Sequence, residues 1–168
     1  MKKSFTLIEL IFVIVIIGLL ASVAVPKFNQ TKANASAVSA KSIVSSVRTA
    51  IATKHGEWII NDDLNSDDGY TPQGYPIRLD DAKANTAGEN LFVGNTTLPI
   101  LKTPVKSCLY NNCWFKYKAD DSENNISYYA YKFTDEDNIT LDYNGSNGKF
   151  TCNNDGSKTE KECESIIE

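Results

Sequence analysis

Residues 1–26, MKKSFTLIELIFVIVIIGLLASVAVP, hold most of the information about what this chain becomes. Lys2 and Lys3 precede a nearly unbroken apolar run that ends at Val25, before Pro26. One carboxylate, Glu9, sits inside that run, one helical turn beyond Phe5. A charge at the centre of a membrane helix costs about 2.5–3.5 kcal/mol on insertion scales, and less near an end. A chain that keeps one there has a partner for it.

Phe5 to Val25 is 21 residues. At about 1.5 Å per residue the helix is about 31 Å long, enough to cross the hydrocarbon core of a bilayer. With the lysines on the short side, the positive-inside rule keeps the N-terminus cytoplasmic and sends the rest across. A cleaved secretory signal offers the same parts: a basic start, an apolar stretch and the small-x-small triplet Ser22-Val23-Ala24, with a cut after Ala24. Its apolar core is ordinarily about 7–15 residues, shorter than this run, and it has no use for Glu9. Hydropathy alone leaves both readings open.

The string Lys2-Lys3-Ser4-Phe5-Thr6-Leu7-Ile8-Glu9 resembles the processing site of type IV pilins and of the pseudopilins of type II secretion systems. The resemblance covers about the first 30 residues. It implies that a prepilin peptidase cuts between Ser4 and Phe5 and methylates the new amine of Phe5. Ser4 stands where that family has glycine; its small side chain is compatible with cleavage, at a lower rate. Gly18 and Pro26 fall where the family has a glycine and a helix-bending proline. The implied fold is α+β and pilin-like: a long N-terminal helix, its first half transmembrane, packed on a small antiparallel sheet. The implied location is the bacterial inner membrane, crossed once, with the C-terminal domain periplasmic, and the subunit is then extracted into a periplasmic or cell-surface filament. The implied partners are further copies, sibling pilins, the peptidase and an assembly platform.

The chemistry of assembly follows from Phe5 and Glu9. A cut before Phe5 creates an α-amine with an ordinary pKa of about 7.7–8.0, close to the depth of Glu9. An amine and a carboxylate attract strongly in low dielectric and offset each other's desolvation. If they belong to neighbouring subunits, the pair sets the axial register of a filament. An intrahelical contact is the alternative, because residues four apart share a face.

Beyond the span, Ala33, Ala37, Ala40, Val44, Val47 and Ile51 recur at steps of three and four. They form one narrow apolar stripe on an amphipathic helix. The stripe fades at His55-Gly56, where Gly56 is the expected cap. The expected layout is a leader at 1–4, the span at 5–25, an amphipathic continuation at 26–56 and a variable loop region at 57–105. The last part, 106–168, holds an antiparallel sheet and C-terminal loops with cysteines. Short pieces at Trp58–Ile60, Ile77–Leu79 and Leu91–Val93 interrupt the loop region, and Asp62, Asp63, Asp67 and Asp68 crowd one stretch as a solvated loop. Phe115 and Tyr117, then Tyr129, Tyr131 and Phe133, then Ile139, Leu141 and Tyr143, alternate with other residues at strand period. Asp/Asn/Gly-rich turns join these strands into a meander whose aromatic face buries the helical stripe.

Four cysteines lie as Cys108 with Cys113 and Cys152 with Cys163 in sequence. Three pairings are open. An oxidising compartment favours disulfides, and short loops favour the sequential pairing. The spacings fit no C-x2-C zinc knuckle. No cofactor is expected beyond a weak calcium candidate: Asp142, Asn144, Asn147, Asn153 and Asp155 offer oxygens, although turn chemistry explains the same residues. Asn125, Asn138 and Asn144 each have an acidic residue two before and Ser or Thr two after, which resembles the acceptor pattern of bacterial N-glycosylation. A stretch rich in Asp, Asn and Ser also produces such strings by chance.

The formal charge is −4, and without Lys2 and Lys3 there are 15 positive and 21 negative side chains. That acidity disfavours nucleic acid as the main partner. His55 is the sole histidine, at the expected end of the long helix, and no Ser/His/Asp set stands out beyond what composition gives, so no enzyme is expected. The expected role is a structural subunit of a type II secretion pseudopilus that supports protein export. A type IV pilus subunit for adhesion or DNA uptake comes second. A secreted binding protein is the reading from another class.

Overall fold

The computed structural model describes residues 6–61, 65–95 and 97–168. Lys2, Lys3, Ser4, Phe5, Asp62 and Asp63 lie outside them. The chain divides into two units, Met1–Ala35 and Ser36–Glu168.

Helix α1 runs from Leu7 to Ile60. Its assignment continues through Gly18 and Pro26, so the chain does not melt there. The missing amide of Pro26 deletes one hydrogen bond, which a long helix tolerates. The helix also passes Gly56, the expected cap, and includes Trp58, Ile59 and Ile60. Tertiary packing explains the extra turn. His55 stacks on Tyr75 at 4.0 Å, its Nδ1 lies 3.1 Å from the Gly74 carbonyl, and Trp58 covers Gly74. A Cβ on Gly74, which sits at φ +80°, would stand 2.2 Å from the indole. Only glycine fits that close approach.

In the second unit, a 3-10 turn at Ser66–Asp68 is followed by β1 (Asn90–Leu91) and β2 (Val105–Lys106), paired antiparallel. The main sheet is an antiparallel meander of β3 (Cys113–Asp121), β4 (Ile126–Lys132), β5 (Asn138–Asn144) and β6 (Lys149–Cys152). A short helix, α2 (Glu160–Ile167), closes the chain. It starts at Thr159, whose hydroxyl accepts from the Glu162 amide while the Glu162 carboxylate accepts from the Thr159 amide. This T-x-x-E capping box was legible in sequence, where only loops were expected.

Ala40, Val44, Val47 and Ile51 are buried as the stripe requires. The stripe starts later than expected: Ala33 is exposed, and Ser36 is buried in its place. Its hydroxyl donates to Asn112 Oδ1 at 2.6 Å and lies 3.0 Å from Tyr131 Oη, so burial costs it no hydrogen bond. The core opposite contains Tyr129, Tyr131, Ile139, Leu141, Tyr143 and Phe150. The region 57–105, which has no regular period, supplies Tyr70, Leu79, Leu91, Phe92, Leu98 and Ile100 to the same core. Phe92 lies within 6 Å of the rings of Trp114, Tyr129 and Phe150.

One strand is phased opposite to expectation. In β3 the buried residues are Trp114 and Lys116, and Phe115 and Tyr117 are only partly covered. The register explains it, because Trp114 pairs with Tyr131 and Lys116 with Tyr129. Lys116 reaches Asp80 at 3.1 Å and Asp120 at 2.8 Å. Asp80 also accepts from Tyr129 Oη, the Phe92 amide and the Ala82 amide. A buried ion pair survives only when its remaining valences are satisfied, and here four donors converge on one carboxylate. Burial, followed by the charge of Asp80, pushes the Tyr129 phenol well above its usual range.

Both edges of the main sheet are occupied. On β3, the register shifts near Lys118, and the Asn85 amide and side chain bond the carbonyls of Lys116 and Tyr117. On β6, Arg48 Nε donates to the Phe150 carbonyl at 3.0 Å.

Candidate functional site

In the first unit, Leu7–Val25 is long and apolar enough to cross a membrane, and none of it is buried. Every large apolar side chain in it is at least 40% exposed. Leu, Ile and Val on all faces need an apolar surrounding that the unit itself does not supply. The one hydroxyl near its end, Ser22 Oγ, donates to the Leu19 carbonyl at 2.7 Å, so the helix satisfies its own polar group as lipid demands.

Glu9 stands in the first turn. Its Oε2 accepts from the Thr6 amide at 2.9 Å and from Thr6 Oγ1 at 2.7 Å, while the Glu9 amide lies 3.4 Å from Thr6 Oγ1. This is a second capping box, again T-x-x-E. The carboxylate sits over unpaired helix amides, where the helix dipole favours negative charge. Sequence reading assigned Glu9 an amine and overlooked Thr6, although the spacing three residues apart carried the signal. Among the described residues no cation forms an ion pair with Glu9. Cleavage between Ser4 and Phe5, and the position of the Phe5 amine, fall outside the described residues.

The remaining candidates lie in the second unit. Both disulfides form, Cys108–Cys113 and Cys152–Cys163, each with Cα atoms 5.9 Å apart. The first closes a short loop before β3; the second ties α2 to β6. The calcium candidates divide. Asp142, Asn153 and Asp155 meet around Tyr117, whose hydroxyl lies 3.4 Å from Asp142 and 3.0 Å from Asp155. Asn153 donates to both Asp142 and Tyr117 and accepts from Thr140. Asn144 and Asn147 are elsewhere, accepting from the Ser146 and Lys149 amides in the β5–β6 turn. Burial raises the Asp142 carboxyl above its ordinary value, although the Asn153 hydrogen bond opposes the shift. Among the described residues no group of three or more His, Cys, Asp or Glu is arranged to hold a metal. An open groove of about 540 Å³ runs beside Ser45, Thr49 and Thr53 of α1. It holds hydroxyls and Lys54, already paired with Glu57 at 2.8 Å, and nothing that resembles a nucleophile with its base.

Residues 1–25 match the family model of the prokaryotic N-terminal methylation motif. A fimbrial protein of Pseudomonas aeruginosa is 38% identical over 71 residues, 41% of this chain and 46% of that protein. A fimbrial protein of Neisseria meningitidis serogroup A is 39% identical over 64 residues, 36% of this chain and 38% of that protein. The chain therefore spans less than half the length of the curated relatives it matches. No solved structure gives a significant match. The N-terminal part of the chain thus resembles type IV pilins: a prepilin-type methylation motif and an apolar helix precede an α+β domain.

Proposed function

We propose that this chain is a membrane-anchored structural subunit that polymerises through α1 into a filament. The observation that carries the reading is the uncovered apolar helix Leu7–Val25 with a single carboxylate near its start, inside a methylation motif. In the free subunit Glu9 is held by Thr6. Incorporation replaces that local cap with the Phe5 amine of an adjacent copy, an exchange of a neutral donor for a charged one. The membrane stores subunits, and neighbouring helices then take over the contact that lipid makes with the apolar faces.

Two filaments fit. The relatives named fimbrial protein favour a type IV pilus. A type II secretion pseudopilus uses the same anchor and the same chemistry, with export of proteins as its output. The peptidase, sibling pilins and an assembly platform are the partners this proposal requires.

The deciding experiment is Glu9→Ala in the full chain. Filament yield is lost and membrane insertion is kept. Normal filaments from that variant refute the proposal. Mass spectrometry of the mature N-terminus separates the classes: methylated Phe5 supports a pilin, whereas a start at Val25 supports a secreted module. Deletion of the gene then separates the machines, by loss of surface filaments or loss of an exported protein.

A further inference from the structure

Three acceptor-like strings, Glu123-Asn-Asn125-Ile-Ser127, Glu136-Asp-Asn138-Ile-Thr140 and Asp142-Tyr-Asn144-Gly-Ser146, lie outside α1, the element through which assembly is proposed. Asn138 and Asn144 are the first and last residues of β5, and Asn125 immediately precedes β4. We propose that Asn125 is an N-glycosylation site, receiving an oligosaccharide from a polyprenyl-diphosphate carrier through a membrane oligosaccharyltransferase. The inference rests on the topology proposed above, because Asn125 must reach the far side of the membrane.

The structure separates Asn125 from the other two. Like Asn138 and Asn144 it is half-buried, but it lies in the β3–β4 turn after exposed Ser122, Glu123 and Asn124. The turn is held without the Asn125 side chain: Asp121 accepts from the Glu123 and Asn124 amides and from Asn124 Nδ2. Among the described residues the Asn125 carboxamide makes no hydrogen bond, and only its backbone carbonyl is used, by the Gly145 amide at 2.8 Å. Asn138 and Asn144 are committed. Asn138 Oδ1 accepts from the Ser157 amide at 2.6 Å, and a Cβ on Gly156 would stand 3.0 Å from it. Asn144 Oδ1 accepts from the Ser146 amide, and Asn144 lies between buried Tyr143 and buried Gly145. Asp142, the acid of its string, is engaged by Asn153 and Tyr117. Glu123, by contrast, is exposed.

Ser127 is buried in β4, so transfer takes place before the β3–β4 hairpin closes or while it is open. Once folded, the sheet tolerates a glycan at Asn125, since no hydrogen bond among the described residues uses its carboxamide, although the turn does use the left-handed backbone (φ +55°) that asparagine favours. In the transfer, Asn125 Nδ2 attacks the anomeric carbon. The C–N bond forms, the C–O bond to the diphosphate breaks, the lipid diphosphate leaves with the electron pair, and the amide proton passes to a base of the enzyme. A bulky, hydrated group at a surface turn is a modification suited to an exported protein.

The test produces the full chain in a bacterium that carries a single-subunit oligosaccharyltransferase and a polyprenyl-diphosphate heptasaccharide. A second acceptor string, Asp-Gln-Asn-Ala-Thr, is appended after Glu168 to report export. Glycopeptide mass spectrometry is expected to find the glycan on Asn125 and on the appended string. Asn125→Gln and Glu123→Gln are each expected to lose the Asn125 glycan and keep the appended one. A modified appended string with Asn125 bare, or with only Asn138 or Asn144 occupied, overturns the proposal. If neither is modified, the proposed topology fails and this inference fails with it.

Discussion

Leu7–Val25 and Ala40–Ile51 lie on one helix and bury opposite amounts of surface. The first stretch is apolar on every face and wholly uncovered. The second is apolar on one stripe, and Ala40, Val44, Val47 and Ile51 on that stripe are at most 3% exposed. Secondary structure is the same in both; the solvent each was built for differs. A helix without a polar face has no preferred side, so it suits lipid or a ring of identical neighbours. A helix with a stripe has one fixed orientation and suits a single sheet.

The same substitution therefore has different outcomes in the two stretches. Ile51→Ala is expected to cost the second unit about 2–5 kcal/mol, by lost burial and a residual cavity. Urea unfolding followed by the fluorescence of Trp58 and Trp114 measures it. Ile14→Ala leaves that transition unchanged, and a shared loss would erase the distinction. Ile14→Arg is expected to cost about 2.5–3.5 kcal/mol of membrane insertion, read as a shift from the carbonate-resistant to the soluble fraction, with the domain still folded.

The two capping boxes sharpen the contrast further. Thr159→Ala is expected to destabilise the domain by about 1 kcal/mol, seen as a lower urea midpoint. Thr6→Ala leaves that midpoint in place and acts instead on filament yield, because it frees Glu9 from its local cap. The smallest effect is at Asp142. Its raised pKa means that the folded chain binds the proton more tightly than the unfolded chain. Its contribution to stability is full below the ordinary aspartate value of about 3.9 and is lost as pH rises through the raised value. Asp142→Asn is thus expected to raise the urea midpoint at neutral pH and to have no such benefit in acid.

What was legible in the sequence follows the same divide. The span, the stripe from Ala40 onward, β4 and β5 were readable because each has one period and one solvent. β3 was misphased because its inward face carries Lys116, a cation that hydropathy places outside; only Asp80, distant in sequence, makes that position tenable. The extension of α1 past Gly56 depends on Tyr75 and Gly74, and the core from 57–105 depends on irregular backbone. Neither leaves a periodic trace. The caps at Thr6 and Thr159 did leave one, and attention to charge alone passed over it. At the site, Glu9 and both cysteine pairs were marked by residue type, whereas the split of the calcium candidates around Tyr117 required the strand register.

The guarded flanks of the main sheet have a bearing on order in a crowded polymer. Under the proposed function, subunits stored side by side in a bilayer would meet at high local density, where open strand backbones recruit one another into stacks. Here Asn85 and Arg48 already occupy backbone carbonyls on the outermost strands. In the proposed filament these contacts would disfavour lateral zippering and leave the choice of lattice to the greasy rods, whose contacts lipid can dissolve and restore.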